Sequence, residues 1–271
     1  MESYRIAILG GTGVGKTYFL ASYFYAKRHG KRIYSGRYPI NIAKGSEEIV
    51  REITNITTLF GKEPMPGTDD RYNITFSIPK LDMQVTLFDL QGGETTKNND
   101  DNGKENSLST AFKEDLEQAD AVLFFISAYD ALHNHPKIID QTEAFINRME
   151  QIQRENEKIK SGTDIPVYFV FTKGDSVEDE NPTLETLMDN LGILPENAGY
   201  DISWKRHFKL LWKNGKYTRP FLTASLGKWE NNLPPAEEEY KPVNVVETME
   251  KLFKDMRSSR HPLFKWIKLK K

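Results

Sequence analysis

The sequence predicts an α/β fold: a three-layer α/β/α sandwich around a mostly parallel sheet with one antiparallel strand. Three observations carry this expectation. Short apolar runs suited to buried strands recur at Tyr4–Leu9, Gln84–Phe88, Ala121–Ile126 and Val167–Phe171, and helical patterns lie between them. The runs YNITFSI (72–78) and QVTLF (84–88) are separated only by a short turn around Pro79 and Lys80, too little chain for a crossover, so they form an antiparallel pair. Finally, ILGGTGVGKTYFL (8–20) links a strand to a helix through a glycine-rich loop.

The elements follow in order. Tyr4–Leu9 is the first strand, and Tyr18–Phe24 runs on without Pro or Gly as a helix does. A polar stretch leads to Ser46–Ile53, which has helical spacing. Gly61–Asp70 (GKEPMPGTDD) is breaker-rich and is expected to be a loop. Thr95–Ser109 is almost without apolar residues and is expected to be mobile, ordered by nucleotide state or partner if it is more than a solvated loop. Ala111–Ala119 resumes order ahead of the strand Ala121–Ile126. Gln141–Lys160 is a charged helix, Arg219–Ala224 a last strand, and Val243–Met256 the final helix. Between Ser176 and Tyr217, the apolar set Trp204, Phe208, Leu210, Leu211 and Trp212 marks an ordered insertion rather than a second domain. The expectation is one domain over 1–271, with insertions at about 30–70, 95–110 and 176–217 and a basic tail at 257–271.

Composition narrows the function classes. Hydrophobic residues at 38% and charged residues at 28% describe an ordinary globular protein, and a net charge of −2 gives no field for nucleic acid. Cysteine is absent, which excludes disulfides, thiolate metal sites, prenylation and palmitoylation. Glu2 excludes N-myristoylation. No signal segment or long apolar run is present, so a cytoplasmic location is expected. The tail RSSRHPLFKWIKLKK (257–271) mixes basic and apolar residues, but Pro262 interrupts any long amphipathic helix, so packing on the core is favoured over membrane contact. The five histidines show no ligand spacing, and His133 and His135 read as loop residues.

The loop itself has chemistry. Gly10, Gly15, Lys16 and Thr17 match G-x-x-x-x-G-K-[ST], the phosphate-binding P-loop, in its strand-loop-helix context. Glycines at 10, 11, 13 and 15 allow successive N–H groups to approach a polyphosphate, and the following helix adds its N-terminal donors. The segment Gly10, Gly11, Thr12, Gly13, Val14, Gly15, Lys16, Thr17 and Tyr18 is therefore the expected nucleotide cradle. In it Lys16 reaches the terminal phosphates and Thr17 ligates Mg²⁺. At the next strand end, Asp89 of DLQGGE is placed to hold Mg²⁺ and Gly92 to offer an N–H to a γ-phosphate. Thr172-Lys173-Gly174-Asp175 follows the strand VYFVF. The Asp175 carboxylate suits the N1–H and exocyclic amine of guanine and rejects adenine, while the Lys173 stem covers the base. A backbone N–H of Thr223-Ala224-Ser225 is expected to meet the guanine O6, with Ala224 and Ser225 as candidates.

Taken in this order, GGTGVGKT, DLQGGE, TKGD and TAS resemble the motifs of the translation-factor-related, Ras-like class of P-loop GTPases, over nearly every strand from Tyr4 to Ser225. ILGGTGVGKTYFLASYF and VTLFDLQGGE also resemble the bacterial double-GTPase (DO-GTPase) families of signalling and conflict-associated operons. The resemblance implies a small-GTPase G domain with insertions: a P-loop NTPase that binds GTP and GDP with Mg²⁺, hydrolyses GTP as a molecular switch, and has a protein effector or activator.

Two departures bear on turnover. Where the class carries a water-orienting glutamine after D-x-x-G, this chain has Gly93, and Gln91 would substitute only on a different loop path. Slow, partner-dependent hydrolysis is the expected consequence, with Lys16, Gln91 and Gly93 the positions that bear on catalysis. The first-switch threonine is expected at Thr68, with Thr57 and Thr58 as alternatives in a helical pattern. Thr172 replaces the commoner asparagine, a variant that the resemblance implies braces the phosphate loop. A scaffold that binds GTP with little hydrolysis remains an alternative, and a P-loop ATPase or kinase is opposed by TKGD.

Overall fold

The computed structural model describes residues 1–11, 13–29, 36–61, 73–89, 116, 118–142, 167–180, 182–191, 222–229 and 233–260. Expectations for Thr12, Thr68, Gln91, Gly92, Gly93, the stretch 95–109, the helix beyond 142, the aromatic group at 204–212 and the tail beyond 260 lie outside the described residues.

Six strands form one sheet in the order β2-β3-β4-β1-β5-β6. They are β1 (Glu2–Gly10), β2 (Asn41–Ile42), β3 (Asn73–Ile78), β4 (Met83–Asp89), β5 (Ala121–Ser127) and β6 (Val167–Thr172). β1 pairs in parallel with β4 and β5, and β5 with β6; β3 alone runs against its neighbours β2 and β4. The antiparallel pair has the register Asn73↔Phe88 to Ile78↔Met83, and its turn is a short 3-10 segment over Pro79–Leu81 that uses proline's fixed φ in its first turn.

The α-helices among the described residues are α1 (Lys16–Arg28), α2 (Glu47–Ile53), α3 (Ile56–Leu59), α4 (Ala128–Leu132), α5 (136–142), α6 (Leu184–Asn190) and α7 (Val245–Arg260). Ile6, Ala7, Ile8 and Leu9 are all fully buried, so side chains on both faces of β1 are covered, as a central parallel strand requires. Neighbouring phenylalanines on β5 show this directly. Phe125 meets Phe19 of α1 edge-on at 5.0 Å, while Phe124, on the opposite face, meets Phe169 of β6 at 5.8 Å. α1 and α7 converge on Phe76 of β3, through Phe24 at 5.6 Å and Phe253 at 5.8 Å. Truncating Phe24 to Ala would open a cavity there at a cost of about 3–5 kcal/mol.

α7 also holds the segment before β2. Glu250 accepts from Lys27 Nζ (2.9 Å) and from the backbone N–H groups of Arg37 (2.6 Å) and Tyr38 (3.0 Å). The Lys27 and Glu250 side chains are only 2% and 13% exposed. Burial pulls the Lys27 ammonium below its usual range even with Glu250 beside it.

Four boundaries differ from the sequence reading, and one is the helix expected from Gln141, which is already formed over 136–142. β2 is only two residues long, too short to show alternation. Of the run expected as a last strand, the described residues 222–224 make single bridges, Leu222 with Phe171 and Ala224 with Val243, and Thr223 N bonds Phe171 O before the chain leaves the β6 edge. The final helix begins at Val245, after Asn244 in the left-handed region (φ 56°), and runs to Arg260, two residues before Pro262.

Candidate nucleotide site

β1 ends at Gly10 with φ of 139°, where a Cβ would lie 2.6 Å from the Phe125 carbonyl oxygen. Only glycine fits where β1 and β5 part. Gly13 and Gly15 also have positive φ, at 77° and 93°. Gly15 is the N-cap of α1 and supplies no side-chain acceptor, so no N-cap side chain occupies the first-turn N–H donors. The Lys16 ammonium is folded over the loop, donating to Gly10 O (2.8 Å) and Gly11 O (3.0 Å), and the residue is 8% exposed. Thr17 stands half-buried in the first turn.

Two distant residues reach the loop. Thr172 Oγ1 donates to Val14 O and lies 3.2 Å from Ile126 O. Its position follows from register, since Ser127↔Thr172 ends the β5–β6 ladder beside Gly10↔Phe125. The second is Gln141 of α5, which the sequence reading did not single out. Its side-chain amide lies against Gly11 so closely that a Cβ there would sit 2.6 Å from Oε1. Nothing local signals this contact, because the two residues meet only through the sheet.

The base end begins one residue past β6. Lys173 is exposed and left-handed (φ 56°). Gly174 N–H donates to Thr223 O at 2.8 Å, and a Cβ on Gly174 would lie 3.1 Å from that oxygen. This close approach brings TKGD against TAS. Burial pushes the Asp175 carboxyl above its ordinary range; opposing that shift, its own N–H and that of Trp229 both donate to it.

The expectation for Ala224 needs correcting. Its N–H donates to Val243 O at 3.2 Å and completes a bridge with the Val243 N–H, so it is not available to a base. Thr223 N–H is likewise held by Phe171 O at 2.7 Å. Of the tripeptide, Ser225 remains as the candidate donor. Its carbonyl accepts from Ser22 of α1, whose Oγ also lies 3.0 Å from the Tyr240 hydroxyl.

For Mg²⁺, the Thr17 hydroxyl and the Asp89 carboxylate are the hard oxygen donors such an ion takes. Asp89 ends β4 in register with Ile8, on the strand that feeds the loop. No group of three or more His, Cys, Asp or Glu side chains forms a metal cluster among the described residues. No helix among them is long and apolar enough to cross a membrane.

No protein-family model matches the chain, and no curated protein does. Solved structures do resemble it. An Era variant from Aquifex aeolicus bound to GDP·AlF4− is 18% identical, with a TM-score of 0.41, over 94% of this chain and 57% of that one. The FeoB G-domain from Methanococcus jannaschii is 15% identical, with a TM-score of 0.35, over 71% of this chain and 84% of its own. Era in complex with MgGDPNP and a 16S ribosomal RNA segment is 20% identical, with a TM-score of 0.37, over 80% and 57%. This chain thus spans 57% of both Era chains.

Proposed function

We propose that this protein binds GTP and GDP and acts as a slow, partner-dependent GTPase switch. One observation supports this best: the segment TKGD joins two chemistries. Thr172 bonds the phosphate loop at Val14, and three residues on, Asp175 presents a half-buried carboxylate set by two N–H donors. Such a carboxylate pairs with the N1–H and amine of guanine and leaves adenine unpaired.

Lys16 and the N–H groups of the loop would bind the β- and γ-phosphates and stabilise charge as it builds in the transition state. Lys16 must exchange its bonds to Gly10 O and Gly11 O for phosphate oxygens, so ligand binding and loop relaxation are coupled. Mg²⁺, held by Thr17 and Asp89, would neutralise phosphate charge when bound. Thr68, Gln91, Gly92 and Gly93 are assigned to the switch loops that sense the γ-phosphate. A cytoplasmic site of action and a protein effector belong to the same proposal.

Gly93 favours a second reading, a scaffold that binds GTP and scarcely hydrolyses it. The two separate in a single-turnover assay with Mg²⁺ and GTP, with bound nucleotide measured in parallel and Lys16→Ala and Asp175→Ala as controls. GTP bound and slowly converted to GDP supports the switch. GTP bound and unchanged supports the scaffold. Preference for ATP, or indifference to Asp175→Ala, would sink the guanine reading.

A further inference from the structure

The loop that follows TAS is built in unusual detail for a segment to which no role has been given. α1 carries Tyr18 and Ser22, one turn apart on the same face. Ser22 holds the Ser225 carbonyl, and the Tyr18 ring meets the Trp229 ring edge-to-face at 5.4 Å and 82°. Between those two points, Leu226 O accepts from Lys241 N (3.0 Å). Gly227 takes φ of 111°, where a Cβ would lie 3.2 Å from Lys241 O. Trp229 is partly buried against the core. It is therefore fixed between the residue that follows Thr17 and the carboxylate of Asp175, which its own N–H contacts.

The lone pairs can be counted. A carboxylate offers about four acceptor positions. The N–H groups of Asp175 and Trp229 approach this carboxylate, and its further acceptor capacity suits a ligand edge with two adjacent donors. The same loop carries a flat, partly buried indole, the kind of surface a purine ring stacks on.

We propose that Trp229, buttressed by Tyr18, is the aromatic wall of the base subsite, and that its backbone N–H aims the Asp175 carboxylate at guanine. The assignment rests on the guanine reading above. Trp229 itself lies outside the phosphate loop, so its effect is expected at the base.

The test measures binding of GDP, ADP and inorganic pyrophosphate to wild type, Trp229→Ala, Trp229→Phe and Asp175→Asn, with tryptophan emission recorded on GDP addition. Trp229→Ala is expected to weaken GDP roughly five- to a hundredfold, as loss of one base–aromatic stack does, and to leave pyrophosphate unchanged. Trp229→Phe is expected to restore GDP affinity to within about threefold, since a ring remains, and to lose the GDP-dependent emission change. If wild type selects GDP over ADP and Asp175→Asn abolishes that selection, yet Trp229→Ala binds GDP as wild type does, the wall is overturned and the guanine reading stands. If wild type binds ADP as well as GDP, both fall together. Should Trp229→Ala fail to fold, the emission arm decides: an unchanged GDP response in Trp229→Phe overturns the assignment.

Discussion

At the proposed phosphate end, the candidate ligand groups are main-chain N–H donors and one ammonium now bonded to loop carbonyls, in a loop where Gly10, Gly13 and Gly15 take positive φ. At the proposed base end the group is a single carboxylate, approached by its own N–H and by that of Trp229, from a loop reached only after most of the chain. A site made of backbone tolerates many side chains but almost no change in φ. One made of a side chain keeps its affinity for phosphate when that side chain is changed and loses only its selectivity. The two ends should therefore fail in different ways.

The largest difference is expected from Lys16→Ala. Removing a desolvated cation from an anion site costs about 2–5 kcal/mol, so GDP, ADP and pyrophosphate should all weaken thirtyfold or more by calorimetry. Asp175→Asn comes next. Its amide oxygen still accepts one bond, so losing the other bond to a charged acceptor, worth about 1.5–3 kcal/mol, should weaken GDP roughly tenfold or more and leave pyrophosphate untouched. A parallel loss of pyrophosphate would erase the division between the two ends.

Thr172→Val tests the joint between them. It leaves Val14 O without its hydroxyl partner, at a cost of about 1–3 kcal/mol. The expected result is a uniform, roughly tenfold weakening of all three ligands with base selectivity intact, alongside a lower melting temperature.

The pH dependence sharpens the base end. Burial raises the Asp175 pKa in the folded, ligand-free protein, so its charge is a destabilising element at neutral pH, relieved as pH falls through that raised value. On the proposed reading, GDP requires the ionised form. GDP affinity should therefore decline on acidification earlier than for an ordinary carboxylate, with proton release on binding in that window, and the decline should vanish in Asp175→Asn. The smallest effect concerns Lys173, which is left-handed and exposed. Lys173→Gly should stabilise the ligand-free protein by about 1 kcal/mol, from relief of left-handed strain, while removing the stem expected to cover the base.

This contrast also explains what was legible in the sequence. The parallel strands around the phosphate loop, the antiparallel pair and the TKGD carboxylate stand in the sequence as apolar runs, spacing and glycine requirements, each a local property. Ala224 looked suitable because the tripeptide stands at a strand end, but its N–H is taken by Val243. Trp229 and Gln141 carried no local signal at all. Their roles come from what the folded sheet brings beside Tyr18 and Gly11, and no residue pattern near either announces such a meeting. β2 escaped notice for a plainer reason: two residues carry no period.

The hydrogen bond from Thr172 to Val14 spans 158 positions. Ser22 waits longer for its partners, 203 positions for Ser225 and 218 for Tyr240. Translation at roughly 5–20 residues per second therefore delivers the phosphate loop about ten to thirty seconds before the strand that braces it, and the α1 contacts arrive later still. A nascent chain holds the whole motif but not the structure that shapes it. Nucleotide binding would then mark the moment at which synthesis has run far enough for the two halves of the chain to meet.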